Sequence, residues 1–366
     1  MSLVVVGRVA MCLALGSVLV AGCARFDDSA SSPFTPEPTF NPADPKAPKK
    51  TPASTTRPSG PCIDPDPAVV ATCLDTTGGI IATGEGALVA ERRTGRILEV
   101  VDPDIPPVEV AKVNVDGSSD GGLSDIVLSP TFREDGLIYA YITTASDNRV
   151  VRIAENGSQK DILTGIPKGP SGNHGAIEWA TPDQLLVLTG DAGNPGLAST
   201  PSSLAGKLLR VNAPAPGASA EIASSGIGVA GDLCRDGKDS VWFTDRTPVE
   251  DRLQRLGPDG SVTTAWTWPD RPGVAGCAAA VDGVAVSLTY AKALALAAAD
   301  ENTHAITAAP SLLAQDRYGQ LGGATIGPDG TFWVGTVNKT DGQPGPNDDR
   351  VVRIPLPQAG GGGGPD

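Results

Sequence analysis

The chain of 366 residues carries 28 Lys and Arg against 42 Asp and Glu, a formal net charge of −14. Outside Lys46–Lys50 it has no basic cluster, which excludes nucleic acid as a partner, because neutralising phosphates needs concentrated positive charge. Acidity of this degree keeps a chain soluble and names no partner.

Residues 1–22 hold one charge, Arg8, and an apolar run from Val9 to Ala21. The run is too short and too weakly flanked for a stop-transfer helix and reads as an export signal. It ends in Leu19-Val-Ala-Gly-Cys23, small residues before a cysteine, which resembles a bacterial lipobox. Cys23 is then the lipidated first residue of the mature chain, and several acyl chains anchor stably where one does not. The expected location is the extracytoplasmic face of the cell membrane. Residues 23–61 follow as a tether, with nine prolines and almost no aliphatic residues between Ala24 and Pro61. Such a segment cannot bury enough apolar surface to fold, and at about 3.1 Å per residue it reaches roughly 100 Å. Residues 358–366 form a glycine-rich flexible tail.

Between them, residues 62–357 read as one domain. Strand-like segments such as Gly79-Ile-Ile-Ala, Ala87–Glu91 and Arg96–Val100 recur with turn residues between them. Units open near Gly79, Asp125, Gly175, Ala230, Gly276 and Gly323, at spacings of 46, 50, 55, 46 and 47 residues. That period, with about four short strands per unit, predicts an all-β, six-bladed β-propeller of four-stranded antiparallel blades. The alanine-rich segment Ala291–Ala299 falls where the fifth unit needs a strand and is read as one.

With Cys12 removed and Cys23 lipidated, four cysteines remain in an oxidising compartment, and three pairings are open to them. Cys62 and Cys73 bracket a short proline-containing segment. Cys234 and Cys277 end the similar segments Val229-Ala-Gly-Asp-Leu-Cys and Val274-Ala-Gly-Cys, which puts them on adjacent inner strands. The expected bridges are Cys62–Cys73 and Cys234–Cys277. With no Cys-x-x-Cys pair and no clustered histidines, no zinc site is expected. Trp179, Trp242 and Trp333 are expected in blade cores or on the rim of the ring, and His304, in Glu301-Asn-Thr-His, in a solvated turn.

The candidate chemistry lies in Gly172-Asn-His-Gly and, one strand further on, Gly190-Asp-Ala-Gly-Asn194. A histidine at one strand end and a carboxylate at the next is how a general base and its orienting acid are commonly arranged, so His174 and Asp191 are the candidate pair. No Gly-x-Ser-x-Gly, phosphate loop or His-Glu-x-x-His motif is present.

His-x-Gly opening one strand, Thr-Gly-Asp-x-Gly closing it and Leu204-Ala-Gly-Lys-Leu-Leu-Arg-Val211 resemble the core signature of the PQQ-dependent glucose/sorbosone (aldose sugar) dehydrogenase family. Gly121–Phe132 and Tyr318–Gly330 resemble two further segments of it, and the likeness runs from about Thr76 to Ile354. Within the family it is nearest to an actinobacterial lipoprotein type. The resemblance implies pyrroloquinoline quinone (PQQ) lying across the top of the central channel, with His174 taking the sugar hydroxyl proton and Asp191 steadying it. It implies Asn194 and Lys292 at the cofactor, calcium on Pro248 and Asp251, and Trp266-Thr-Trp268-Pro269 near the substrate mouth.

The chain also departs from that pattern. Gly226–Gly231 holds no arginine, Gln320 stands in a segment where the family has two arginines, and Thr289 replaces a lysine. The calcium loop is flanked by Arg246 and Arg252, and Arg246 is expected to pair with Asp245, Glu250 or Asp251 on a surface turn. Two functions therefore compete: a quinone-dependent oxidoreductase acting on sugars, and a non-catalytic monomeric propeller that binds a glycan, a cell-wall component or a protein.

Overall fold

The computed structural model describes residues 60–356, which form 24 strands and a few helical turns. After β1 (Val69–Ala71), the first blade takes β2 (Thr77–Ala82), β3 (Ala87–Glu91), β4 (Arg96–Val100) and β5 (Val108–Lys112). The second takes β6 (Leu123–Leu128), β7 (Ile138–Thr143), β8 (Asn148–Ile153) and β9 (Gln159–Ile166). The third takes β10 (Gly175–Thr181), β11 (Gln184–Thr189), β12 (Lys207–Asn212) and β13 (Glu221–Ser225). The fourth is β14 (Val229–Arg235), β15 (Val241–Arg246), β16 (Asp251–Leu256) and β17 (Val262–Trp268). The fifth is β18 (Val274–Ala280), β19 (Gly283–Leu288), β20 (Ala293–Ala298) and β21 (Ser311–Leu313), and the sixth opens with β22 (Leu321–Ile326), β23 (Phe332–Thr336) and β24 (Val351–Ile354). The six sheets have four antiparallel strands each, as the repeat predicts, and the alanine-rich segment is strand β20.

The last blade is completed from the other end of the chain. β1 pairs with β24 as its outermost strand, through Val69 opposite Val352 and Ala71 opposite Val351. The sequence repeat does not display this closure, because β1 is three residues long. Arg317 and the Tyr318 hydroxyl both bond Asp66 Oδ2, at 2.9 and 3.2 Å, and hold the incoming segment to the sixth blade.

Middle strands such as β11 (Gln-Leu-Leu-Val-Leu-Thr) are apolar without alternation because a blade is covered on both faces by its neighbours. One inter-blade core gathers Tyr141, Ile177, Trp179, Leu185 and Val187; another gathers Val69, Leu294, Leu321, Phe332 and Val352. Outer strands such as β5 and β13 are mostly exposed. Trp179, Trp242 and Trp333 are core residues.

Around the channel the inner strands belong to different sheets, so side chains join them. Asp125 Oδ2 accepts from Ile177 N–H (2.8 Å) and Asp232 Oδ2 from Cys277 N–H (3.0 Å). Thr77 and Thr289 donate to the carbonyls of Thr336 and Leu321. The approach is close enough that a Cβ on Gly276 would strike the Gly322 carbonyl, and one on Gly323 the Gly78 carbonyl.

Cys62 is bonded to Cys73, with Cα atoms 5.3 Å apart, and Cys234 to Cys277, with Cα atoms 5.8 Å apart. The second bridge ties the inner strands of the fourth and fifth blades. The bridges close 11 and 43 residues. On loop-closure entropy alone, replacing Cys234 and Cys277 by alanine should cost about 4 kcal/mol and replacing Cys62 and Cys73 about 3 kcal/mol. Denaturant unfolding of the two double variants checks both the costs and their order.

Candidate functional site

The connections from outer to inner strands and from second to third strands converge on one end of the channel. There they enclose a cavity of about 580 Å³, within the range of small-molecule sites. His174 and Asp191 both line it.

The His174 loop is fixed before chemistry is considered. Asp120, from the loop before β6, accepts from Gly172 N–H (2.6 Å) and from Asn173 Nδ2 (2.9 Å). Asn173, fully buried, also bonds both polar groups of the Gly169 backbone. The His174 carbonyl accepts from Gly190 N–H at 3.0 Å, so the histidine turn and the Asp191 turn are joined by backbone. The ring of His174 meets the cavity with Nδ1 buried and without a hydrogen-bond partner. Burial, then the charge of Arg92 and more weakly that of Arg246, push its pKa down to about 4, although Asp120 pulls the other way. The imidazole is therefore neutral at pH 7, the form a general base needs.

Asp191 sits beside this loop but bonds locally, its Oδ1 accepting from Gly193 N–H at 2.9 Å. Asp120 is the carboxylate that positions the histidine loop. Sequence spacing misses it because it comes from a different blade, 54 residues before the histidine.

The other expected site residues separate. Asn194 is exposed and caps the helical turn Pro195–Ser199, accepting from Gly196 N–H at 3.1 Å. Lys292 is exposed and is not among the residues lining the cavity. Pro248 lines the cavity, whereas Asp251 is buried behind it with Oδ2 on the N–H groups of Gly273 (2.6 Å) and Val274 (3.1 Å). The two do not fit a calcium ion, which wants six to eight oxygens. The Trp266–Trp268 pair, edge to face at 6.4 Å, packs into the core between the fourth and fifth blades, not at the cavity mouth.

Arg246 corrects the expectation of a surface ion pair. Arg252 occupies Asp245 with bonds of 2.5 and 3.0 Å, and this frees Arg246 to line the cavity. There it donates to the Tyr290 hydroxyl (3.1 Å) and lies 5.6 Å from that ring's centre. Arg92, which also bonds the carbonyls of Ser119 and Gly121, and Arg271 line the same cavity. Three guanidinium groups thus line the cavity that Thr289 and Gln320, which replace cations in the resembled pattern, also line. Arg92 and Arg271 enter from connections that carry no recognisable motif, and Arg246 from the end of β15. Lys207 of the Leu-x-Gly-Lys motif is structural: fully buried, it donates to the carbonyls of Leu197, Ala198 and Ala205.

Below the cavity the channel narrows to Asp125 and Asp232, which also line a second space of about 260 Å³ containing Glu178. Burial raises Asp125 well above the usual carboxylate range, helped by the charge of Asp232, and lifts Glu178 and Asp232 to about 7. Asp125 is buried, whereas Glu178 and Asp232 are half-buried and reach the channel space.

This architecture defines a six-bladed propeller with a cavity at one end of its central channel. The glucose/sorbosone dehydrogenase family model matches residues 78–223 of the chain. The PQQ-bound aldose sugar dehydrogenase of Streptomyces coelicolor is similar, with 28% identity and a TM-score of 0.70 over 78% of this chain and 96% of that one. A putative glucose dehydrogenase from Thermus thermophilus gives 26% identity and a TM-score of 0.67 over 78% and 98%. An uncharacterized Synechocystis protein is 28% identical over 169 residues, and this match spans 38% of the chain and only 41% of the relative.

The acids at the narrowing set a pH dependence. Their folded pKa values lie above the unfolded ones, so they favour folding most at pH 4 and below and lose that contribution as pH rises through about 7. His174 acts oppositely, its contribution being present above 6.5 and lost as pH falls through about 4. Asp232→Asn should therefore reduce the fall in stability between pH 5 and pH 8 by roughly 1 kcal/mol or more, measured by denaturant unfolding at both pH values.

Proposed function

We propose that the chain is an extracytoplasmic, lipid-anchored dehydrogenase that oxidises aldoses with PQQ bound in the central cavity. The observation that carries this reading is a neutral His174 lining the same cavity as Arg92, Arg246 and Arg271. PQQ is a tricarboxylate, and three guanidinium groups match its charge in the way planar carboxylate recognition favours. The relative from Streptomyces coelicolor is PQQ-bound, which supports the same cofactor here.

When bound, PQQ supplies the acceptor for hydride from the anomeric carbon. The protein's own part is proton transfer and positioning. His174, neutral at pH 7, takes the anomeric hydroxyl proton. Asp120 and Asn173 hold its loop, and the arginines bind and orient carboxylates. Titration with PQQ, followed by absorbance, should saturate, and the loaded protein should reduce a dye when an aldose is added. His174→Ala should lower that rate by roughly 10²-fold or more with little effect on quinone binding. Arg246→Ala should weaken quinone binding by about tenfold or more.

A second reading, a glycan-binding propeller without turnover, draws on two observations. His174 Nδ1 lacks the acceptor that would orient it, and Tyr290, 57% exposed, offers a stacking face at the cavity. Glycan binding with no quinone saturation and no dye reduction would favour this reading.

Anchoring rests on the Leu19-Val-Ala-Gly-Cys23 sequence, and residues 1–59 and 357–366, with the signal, Cys23, nearly all of the tether and the tail, lie outside the described residues. Cys23→Ser should move the protein from the membrane fraction to the soluble fraction. Retention of the variant in the membrane would show that the apolar run acts as an uncleaved anchor.

A further inference from the structure

On the face of the ring opposite the cavity, the connection from β14 to β15 meets the connection from β20 to β21. His304, expected in a solvated turn, is buried there at 6% exposure, its ring edge-on to Trp242 at 6.2 Å. Its Nε2 lies 3.2 Å from Asp239 Oδ1. Its Nδ1 points towards Asp236 Oδ2 at 4.0 Å, and neither atom has a hydrogen-bond partner. Asp236 is 1% exposed, and its other oxygen is already used by the N–H groups of Lys238, Asp239 and Ser240. One ligand atom from each of Asp236, Asp239 and His304 lies within 4.8 Å of the other two, and no other such group of three occurs among the described residues.

Two orphaned buried atoms facing each other need an explanation, because burying an unsatisfied polar group is costly. In the tautomer whose Nε2 proton is turned towards Asp239, Nδ1 carries a lone pair, and it faces a carboxylate oxygen: two acceptors with nothing between them. A separation of 4.0 Å is too long for a hydrogen bond. Zinc binds histidine nitrogen and carboxylate oxygen at about 2.0–2.2 Å in tetrahedral geometry, so an ion between them would draw the two atoms to about 3.4 Å, roughly half an ångström closer than they stand. The carboxylate on the second ring nitrogen is the arrangement that fixes the tautomer of a metal-bound histidine.

We propose that Asp236 and His304 bind a divalent first-row transition metal through Oδ2 and Nδ1, with Asp239 orienting the imidazole and water completing the shell. Imidazole with carboxylate oxygen suits zinc and its neighbours better than calcium or magnesium. The sequence expectation of no zinc site rested on the lack of clustered histidines, whereas here a single histidine is joined by carboxylates more than 60 residues away. The ion would link the fourth blade to the fifth at the seam that Cys234–Cys277 already bridges.

The test uses the purified full chain, stripped with a chelator and titrated with ZnCl₂ alone. One equivalent should bind with micromolar or tighter affinity and raise Tm by several degrees. Asp236→Asn and His304→Gln should abolish binding, and Asp239→Asn should weaken it by about 10- to 100-fold. Should the two buried variants fail to fold, Asp239→Asn, at a side chain 38% exposed, still decides the matter. Ligand-field bands of bound Co²⁺ that are lost in Asp239→Asn would support the site. Absence of stoichiometric zinc in the wild type, or unchanged affinity in Asp239→Asn, would overturn it and leave an ordinary histidine–aspartate pair.

Discussion

The pairing of β1 with β24 is the contact on which the rest of this molecule depends. Five blades are built from consecutive strands, but the sixth lacks its outer strand until residues Val69–Ala71 return to it. A propeller blade is stable because both of its faces are covered. An open ring would uncover two of them, including the core between the sixth and first blades that holds Ile80, Val89, Trp333 and Val351. The closing strand is short, so it is reinforced by Asp66 against Arg317 and Tyr318, and by Cys62–Cys73 just outside it.

Closure also fixes the central cavity. His174, Arg92, Arg246 and Arg271 come from connections and strand ends of different blades, and their separations are set by the angle between blades and not by local sequence. The inner strands tolerate that convergence because glycines stand where the backbones come closest, as at Gly276 and Gly323. Where glycine leaves no side chain to join neighbours, Asp125, Asp232, Thr77 and Thr289 reach across to the next backbone.

The same acids give the channel its electrical character. Asp125, Asp232 and Glu178 are crowded and desolvated, so they hold protons at pH values where surface carboxylates have lost them. Positive charge stands in the cavity above. An anionic ligand entering from that side meets guanidinium groups and then partly neutralised acids, a gradient that holds it in the cavity and resists its passage down the channel.

Some of this was legible in the chain. The 46- to 55-residue spacing of strand units determined the six blades, because each blade needs the same strand and turn chemistry. The matching Val-Ala-Gly segments before Cys234 and Cys277 marked equivalent inner strands and hence a bridge, and register outweighed alanine's helical preference in β20. His174 and Asp191 were visible as residues of one cavity because a single strand separates them in sequence. What each partner does was decided only by the fold. Asp191 bonds its own turn, Asp120 holds the histidine loop, and Arg246 turns to the cavity because Arg252 has taken Asp245. His304 looked solvated in a polar stretch, yet the neighbouring blade covers it with Trp242 and two aspartates. Local sequence sets strand, turn and register through interactions a few residues long, whereas charge pairing and burial depend on which blade stands beside which, and only the closed ring decides that.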